Sequence, residues 1–289
     1  MDFEQTLFLD KAVSTRKNYI GNLRRLNGGK KITNYTFLKD TNKIIEFIET
    51  YENPGTRKVY YSSAVSLLAD NATYKKQYDI YHAKMMELLT QLNDKPHKSE
   101  STLEKCKIPF DDLLQRQKSL YSKINFKLKK KDVTSEILDD LQKCIITSLY
   151  TLMPPRRNLD YIEMKIGEPK DDEFNYYDKY KMTFNRYKTD KIYGEQIVDC
   201  PDVVGKLIQL RQRLAPSIWL LTNTRGDKLS TQLMSKAVSD AFQMDVGSSS
   251  IRNIYLSSKY SDVKEGLNKD CKEMGTSAGT ALKIYIKNK

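Results

Sequence analysis

Histidine and cysteine are scarce in this chain. Its 289 residues include two histidines and four cysteines, and the cysteines form no Cys-x-x-Cys pair. Zinc sites use closely spaced Cys and His ligands, so this spacing argues against a zinc site and predicts no metal. We expect free thiols in a reducing compartment. The residues in question are His82, His97, Cys106, Cys144, Cys200 and Cys271.

Long apolar runs are missing too. No stretch approaches the roughly 18 apolar residues that a membrane-spanning helix requires. The opening residues, MDFEQTLFLDKAV, are acidic and lack the basic region and small-residue cleavage site of a signal peptide. We therefore expect an intracellular chain that has no membrane partner.

Positive charge, by contrast, is abundant. Lysine and arginine number 49 against 37 acidic residues, which gives a formal net charge of +12. This excess predicts a polyanionic partner, and nucleic acid is favoured because no basic segment carries the large apolar face that binds a bilayer. A merely soluble basic protein is the plain alternative. A hydrophobic content of 39% is sufficient for packed cores in one large domain or two ordinary ones.

The first third of the chain shows helical periodicity. The stretch STRKNYIGNLRRLNG opens with Ser14 as a candidate N-cap, and three further helical patterns follow it. We predict a compact helical domain over residues 1–95. Basic residues cluster in its first helix and at the start of its third, where they form either a solvated face or contacts to DNA phosphates. These residues are Arg16, Lys17, Arg24, Arg25, Arg57 and Lys58.

A polar stretch, NDKPHKSESTLEKCK, separates this part from the rest and predicts a linker over residues 96–107. Residues 108–289 are predicted as a second domain that is mainly helical. Within it, YKMTFNRY and YGEQIVDC alternate on either side of KTDK, which predicts a hairpin. Near the end, SSIRNIYLSSKYS and VKEGLNKDCKEMG are predicted as separate helices. The predicted fold class is mainly α with a small antiparallel sheet.

Four features of this second part point to one chemistry. They are the paired arginines of LYTLMPPRRNLDYIEMKI, Lys188 in RYKTDKIYG, Arg252 in SSSIRNIYLSS and Tyr285 in ALKIYIKNK. A tyrosine can attack a phosphodiester and hold the broken strand as an ester. Two guanidinium groups can bind the non-bridging oxygens, and a lysine can protonate the departing sugar oxygen.

In these features, and over most of its length, the chain resembles the tyrosine recombinase (phage integrase) family. In that family the first arginine is followed three residues later by an acid, and an apolar residue comes directly after the acid. Arg157 fits this pattern, with Asp160 as the acid and Tyr161 as the apolar residue. Arg156 is then a neighbouring phosphate contact. The hairpin lysine of the family corresponds to Lys188, with Lys191 as the less favoured choice.

Two further boxes complete the resemblance. The His-x-x-Arg box corresponds to the stretch that runs from Ser249 to Arg252. The Leu-Gly-His loop corresponds to the stretch that ends at Thr276, nine residues before Tyr285. The resemblance makes Tyr285 the nucleophile, with Tyr255 as the alternative if this alignment is wrong.

The resemblance implies a specific activity. Residues 1–95 would be the helical core-binding domain that clamps DNA, and residues 108–289 the α+β catalytic domain. The implied activity is site-specific recombination or integration of double-stranded DNA through a 3′-phosphotyrosine intermediate, without metal, ATP or another cofactor. The implied assembly is a homo-tetramer on paired DNA sites. We expect it to act in the nucleus or in the DNA compartment of a virus or mobile element.

The departures from the family pattern keep two alternatives open. Ser249 and Thr276 stand where the family has histidines, and no histidine follows His97. A hydroxyl can donate a hydrogen bond to phosphate, but it cannot take up a proton at neutral pH as imidazole can. One alternative is type IB topoisomerase-like relaxation of DNA by a monomer. The other is a DNA-binding protein of the same fold that has lost catalysis.

Overall fold

The computed structural model describes residues 2–94, 104–128 and 134–282. The chain forms two compact units, Met1–Ser99 and Glu100–Lys289. Each unit has an apolar core of its own. The protein is mainly helical, with 64% helix, which confirms the predicted predominance of helix. Most of the predicted linker lies outside the described residues.

The first unit consists of helices that surround buried leucine, isoleucine and tyrosine side chains. Helix α4 (Pro54–Leu68) shows how the sequence sets a helix start. Its first residue is Pro54, and the side-chain oxygen of Asn53 accepts hydrogen bonds from the backbone N–H groups of Gly55 and Thr56 at 2.8 and 3.2 Å. The helices are α1 (Phe3–Thr6), α2 (Val13–Leu26), α3 (Thr41–Glu49), α4 (Pro54–Leu68) and α5 (Lys75–Asp94), with 3₁₀ turns at Thr36–Leu38 and Ala72–Tyr74.

The second unit is built around helix α7 (Ser135–Thr151), whose C-terminal half is buried on all sides. The polar side chains in that half, Thr147, Ser148 and Thr151, are hydrogen-bonded, so this half can be covered on every side. Helices α6 (Phe110–Leu128), α10 (Asp202–Leu214) and α11 (Thr231–Phe242) pack against α7. The other helices are α8 (Asn158–Ile162), α9 (Asp190–Tyr193), α12 (Ser248–Glu273) and α13 (Ala278–Thr280).

Helix α12 corrects one prediction. The two helices predicted from SSIRNIYLSSKYS and VKEGLNKDCKEMG are a single helix, Ser248–Glu273. No proline interrupts this stretch, and Gly266 is accommodated inside the helix. A single interior glycine costs only about 1 kcal/mol relative to alanine, which is too little to end a helix.

A four-stranded sheet lies beside these helices in the order β1-β2-β3-β4. Strand β1 (Met164–Ile166) runs parallel to β2 (Asn175–Asp178), so the prediction of a purely antiparallel sheet is wrong and the sheet is mixed. The reason is the connection over residues 167–174, which returns the chain to the end where β1 began. It starts at Gly167, whose φ of 125° favours glycine and whose N–H donates to the carbonyl of Tyr177 at 2.9 Å.

The predicted hairpin is confirmed. Strands β3 (Lys181–Phe184) and β4 (Gln196–Asp199) pair in antiparallel register, with Phe184 opposite Gln196. Residues 185–195 connect them and include the KTDK sequence and the short helix α9. The connection thus forms a long loop at the end of the sheet, and Lys188 lies within it.

Within the described ranges, no helix is both long enough and apolar enough to cross a bilayer.

Candidate active site

The paired arginines follow a helix end that prolines define. Helix α7 ends at Thr151, Pro154 and Pro155 come next, and α8 begins at Asn158. Proline cannot continue a helix and keeps the residue before it extended. Arg157 is the N-cap of α8 with extended backbone angles, φ −75° and ψ 153°. Successive side chains of extended backbone point to opposite sides, so the side chains of Arg156 and Arg157 can have different surroundings.

Asn158 fixes the start of α8. Its side-chain oxygen accepts a 2.6 Å hydrogen bond from the Tyr150 hydroxyl, and its amide nitrogen donates to the Ser235 hydroxyl at 3.3 Å. Burial raises the pKa of Tyr150 well above its ordinary value, and the positive charge of Arg252 only partly opposes that rise. Tyr150 therefore stays a neutral donor that holds the turn against helix α7.

The guanidinium group of Arg156 is engaged within the protein. Its Nε donates to Asp160 Oδ2 at 2.9 Å, and its Nη1 donates to Gln196 Oε1 at 2.8 Å. The group also lies over two rings, with Cζ 3.7 Å from the centroid of Phe184 and 4.9 Å from that of Tyr187. Arg156 thus joins α8 to the hairpin strands. Two of its three side-chain nitrogens already have partners, and the phosphate contact predicted for it stays a prediction.

Asp160 is a buried acid beneath this pair of arginines. Its side chain is 3% exposed. Burial raises its pKa although the charges of Arg156 and Arg157 oppose the rise. Its Oδ1 is buried without a hydrogen-bond partner among the described residues. Asp160 identified the arginine motif in the sequence, and the structure shows that it pairs with Arg156 and not with Arg157.

Arg157 and Arg252 line the same cleft, although they are far apart in the sequence. The cleft has a volume of about 280 Å³. Arg252 projects from the second turn of α12, and both arginines are partly exposed. In the part of the chain that the structure describes, neither guanidinium forms a hydrogen bond or an ion pair. The remaining lining residues are Met153, Pro154, Pro155, Arg156, Asp160, Tyr187, Thr189, Tyr193, Gln196 and Val198.

The hairpin loop closes one side of this cleft. Tyr187 and Thr189 belong to the lining, and the Tyr187 hydroxyl donates to the carbonyl of Gly194 at 2.7 Å, which ties the two ends of the loop together. Lys188 lies between these two lining residues and is exposed, as is Lys191. The structure therefore brings the loop that carries Lys188 next to Arg157 and Arg252.

Two other predicted positions are not among the described residues that line the cleft. Ser249 is exposed and Thr276 is half-buried, and the described lining of the cleft includes neither. Tyr285 lies outside the described residues. Tyr255, the alternative nucleophile, is half-buried on α12, where its hydroxyl accepts a hydrogen bond from Lys259 at 3.4 Å.

Three of the six basic residues predicted to bind DNA in the first unit are engaged by carboxylates or carbonyls of their own chain. Arg16 donates to the carbonyls of Leu7 and Gln5 at 2.9 and 2.6 Å, and the Arg24 side chain pairs with Glu4 through two hydrogen bonds. These contacts hold the amino-terminal residues against α2.

Arg57 likewise serves the fold, with bonds to the Tyr51 carbonyl at 2.5 Å and to Glu49 at 2.7 Å. Arg25 differs, since it lines a second cleft between α2 and α4 and interacts with neutral groups, a 3.4 Å bond to Asn22 and the Tyr60 hydroxyl. Lys17 and Lys58 have no hydrogen bond or ion pair with any described residue. Three of the six predicted positions thus keep their charge available.

Sequence reasoning missed two residues of the cleft region, Gln196 and Asn175. Gln196 anchors Arg156, and Asn175 is fully buried at the start of β2. Polar residues at strand ends usually indicate turns, so neither position carries a signal that distinguishes a buried hydrogen-bonding role. Their function depends on partners that are distant in the sequence.

The geometry has a definite chemical capacity. Two guanidinium groups without protein partners in one cleft can bind the non-bridging oxygens of a phosphodiester, since Arg presents a planar fork of donors. An adjacent lysine loop can supply a proton. Over the described ranges, no group of His, Cys, Asp and Glu side chains has the arrangement of a metal site.

Comparison of the chain with protein-family models, with curated proteins and with solved structures finds no match.

Proposed function

We propose that this chain cleaves and rejoins double-stranded DNA as a site-specific recombinase or integrase. The observation that supports the proposal is the cleft in which Arg157 and Arg252 converge without protein partners in the described residues. Two positive charges held in one cleft repel each other, and a bound anion lowers that repulsion. The exposed Lys188 loop beside them matches the need for a proton donor.

The proposed step is a transesterification at phosphorus. The hydroxyl oxygen of Tyr285 attacks the scissile phosphorus and its proton passes to water, while a P–O bond to tyrosine forms and the P–O5′ bond breaks. Lys188 gives a proton to the departing O5′, while Arg157 and Arg252 stabilise the charge that builds on the non-bridging oxygens. Attack by a 5′-hydroxyl on the phosphotyrosine reverses the step and rejoins the DNA. Neither metal nor ATP enters this scheme.

Ser249 and Thr276 have a limited part in the proposal. Their hydroxyls can donate hydrogen bonds to the phosphate when DNA brings it near, but they cannot act as bases at neutral pH. Lys17, Arg25 and Lys58 of the first unit supply contacts to the same duplex. Exchange between two DNA sites requires four active sites, so we propose a homo-tetramer on paired sites.

A DNA-binding protein without catalysis is the second candidate. The exposure of Ser249, and the absence of Ser249 and Thr276 from the described lining of the cleft, favour it. In that case the two arginines would hold an intact phosphate. This candidate predicts tight binding to DNA and no covalent complex.

A trapping experiment separates these candidates. The protein is incubated with nicked duplexes drawn from the DNA that flanks its gene, so that a short cleaved strand diffuses away and rejoining is prevented. A denaturing gel then shows a slower band if the protein is covalently bound. Tyr285→Phe is the matched control, because it removes one hydroxyl and should bind DNA equally well. Binding without a slower band would support the second candidate.

A further assay on the same protein separates recombination from relaxation. Two duplexes of different length that carry the same site should yield recombinant strands if the chain is a recombinase. Relaxation of supercoiled DNA without such products would indicate activity of the type IB topoisomerase kind.

A further inference from the structure

Asn175 is a fully buried polar residue close to the cleft but outside its lining. Its side chain makes four hydrogen bonds. The amide nitrogen donates to the carbonyls of Asp160 and Arg186 at 2.8 and 3.0 Å. The amide oxygen accepts from the backbone N–H groups of Asn185 and Arg186 at 2.9 and 2.8 Å. All four bonds join the side chain to backbone groups.

These partners belong to two segments of the proposed site. Asp160 lies in α8, three residues after Arg157. Asn185 and Arg186 are the first residues after β3, and Lys188 follows them by two positions. Asn175 therefore fixes the distance between the arginine turn and the base of the lysine loop. Among side chains of this size, only an amide offers two donors and an acceptor together.

A second asparagine strengthens the same junction. The side-chain nitrogen of Asn185 donates to the carbonyls of Phe174 and Asp171 at 3.0 and 3.2 Å. Lys188 itself forms no hydrogen bond or ion pair within the described part of the chain. Its place is therefore set by the backbone of its loop and not by contacts of its own ammonium group.

We infer that Asn175 is a positioning residue that places Lys188 for proton transfer to the departing O5′. The inference rests on the proposed function. Asn175 would touch neither DNA nor the reacting atoms, and it would act through the loop that carries Lys188. A displacement of about 1 Å in a reacting group can lower a rate about a hundredfold, so a buried amide that fixes the base of the loop has a measurable effect on the reaction.

The test uses Asn175→Asp. The substitution preserves shape and the acceptor oxygen, but it removes both donated bonds and directs a carboxyl oxygen at two carbonyls. On an ordinary duplex, single-turnover cleavage should fall by roughly tenfold to a hundredfold. On a duplex in which sulfur replaces the bridging O5′, the leaving group is a thiolate, which departs without a proton because a thiol has a pKa of about 8.5. On that duplex the variant should cleave at nearly the rate of the unaltered protein.

Three comparisons make the test specific. Lys188→Ala should show the same rescue by sulfur. When Asn175→Asp is added to Lys188→Ala, the cleavage rate on the ordinary duplex should fall no further, because both substitutions impair the same proton transfer to O5′. Ile124→Ala, a truncation in the core on α6, should lower the thermal stability without changing the ratio of the two rates.

Equal losses on both duplexes would overturn the inference and make Asn175 a merely structural residue. Failure of the unaltered protein to cleave either duplex would overturn the proposed function, and this inference with it. If Asn175→Asp does not fold, Asn185→Ala provides the same test, since it removes the two bonds that hold the other side of the loop base. Its cleavage defect should also be rescued by sulfur, and an unrescued defect would overturn the inference.

Discussion

In the first unit, Arg16, Arg24 and Arg57 bind oxygen atoms of their own chain, whereas in the second unit Arg157 and Arg252 face a cleft without such partners in the described residues. Sequence composition does not separate these two groups of arginines, since each residue lies within a helix or at its boundary. The difference arises from which carbonyls and carboxylates the fold brings within reach. Charge alone therefore does not identify a phosphate contact.

The adjacent arginines of the second unit show the same contrast over one peptide bond. Arg156 is held by Asp160 and Gln196 and lies over two aromatic rings, while Arg157 is directed to the cleft. Arg156 thus stabilises the structure around the cleft, and the guanidinium of Arg157 stays available for a ligand. Substitutions test this difference, because the two groups of arginines predict different effects on stability and on cleavage.

The largest effect is expected for the structural arginine. Arg156→Met keeps much of the side-chain volume but leaves Asp160 buried without its ion-pair partner. At pH 8 the free energy of unfolding should fall by about 3 kcal/mol, the scale for removing one member of a buried pair. Chemical denaturation of the variant and the unaltered protein measures the difference.

The pH dependence of that loss follows from Asp160. Its pKa in the folded protein is raised by burial, above an unfolded value of about 3.9. A raised pKa means that the folded state binds the proton more tightly, so stability is lost as pH rises through the folded pKa. Arg156→Met removes an opposing positive charge and raises this pKa further. The deficit should therefore shrink as pH falls from 8 towards 5, and a deficit that grows on acidification would contradict this assignment.

The next effect concerns cleavage. Arg157→Ala and Arg252→Ala should each lower the single-turnover cleavage rate by roughly a hundredfold or more, the scale for losing one preorganised donor to an oxyanion. Both variants should lose less stability than Arg156→Met, because neither guanidinium forms a hydrogen bond or an ion pair in the described residues. Arg213→Ala, an exposed arginine on α10 outside the cleft, is the matched control and should cleave normally.

The opposite order of these two adjacent arginines would show that the alignment of Arg157 with the first family arginine is wrong. If the cleavage rate per folded molecule fell further in Arg156→Ala than in Arg157→Ala, then Arg156 would be the arginine that binds the reacting phosphate.

The smallest effect concerns the first unit. Lys17→Ala and Lys58→Ala should each reduce the slope of the logarithm of DNA affinity against the logarithm of salt concentration by about one, as expected for one lost phosphate contact. Arg57→Ala should instead lower stability by about 1 kcal/mol or less, since it removes a partly exposed ion pair and a bond to a carbonyl. Binding titrations at several salt concentrations, with thermal unfolding of the same samples, distinguish these outcomes. A salt slope that changed more for Arg57→Ala than for Lys58→Ala would reverse the roles assigned here.

Local sequence signals predicted the elements with clear periodicity and punctuation. Pro154 and Pro155 marked the end of α7, and alternation on both sides of KTDK predicted the hairpin of β3 and β4. Other signals were weaker. The candidate N-cap Ser14 lies inside α2, which begins at Val13, because a serine in the first turn of a helix is easily accommodated.

The rest required tertiary information. The parallel pairing of β1 with β2 depends on the path of residues 167–174, and strand periodicity does not record the direction of a partner strand. Arg156 and Arg157 differ through Gln196 and the rings of Phe184 and Tyr187, which lie well beyond them in the sequence. Asn175 carried no sequence signal, since its four partners are backbone groups of other segments. The assembly of Arg157 and Arg252 in one cleft could be stated from sequence only through the family resemblance.

The central claim is that the cleft of Arg157 and Arg252 holds a phosphate that a tyrosine attacks. The most direct measurement is to digest the trapped protein–DNA complex with protease and nuclease and to identify the modified peptide by mass spectrometry. We expect the nucleotide remnant to be attached to Tyr285, and we expect Tyr285→Phe to yield no modified peptide. A remnant on Tyr255, or a Tyr285→Phe protein that still yields a modified peptide, would contradict it.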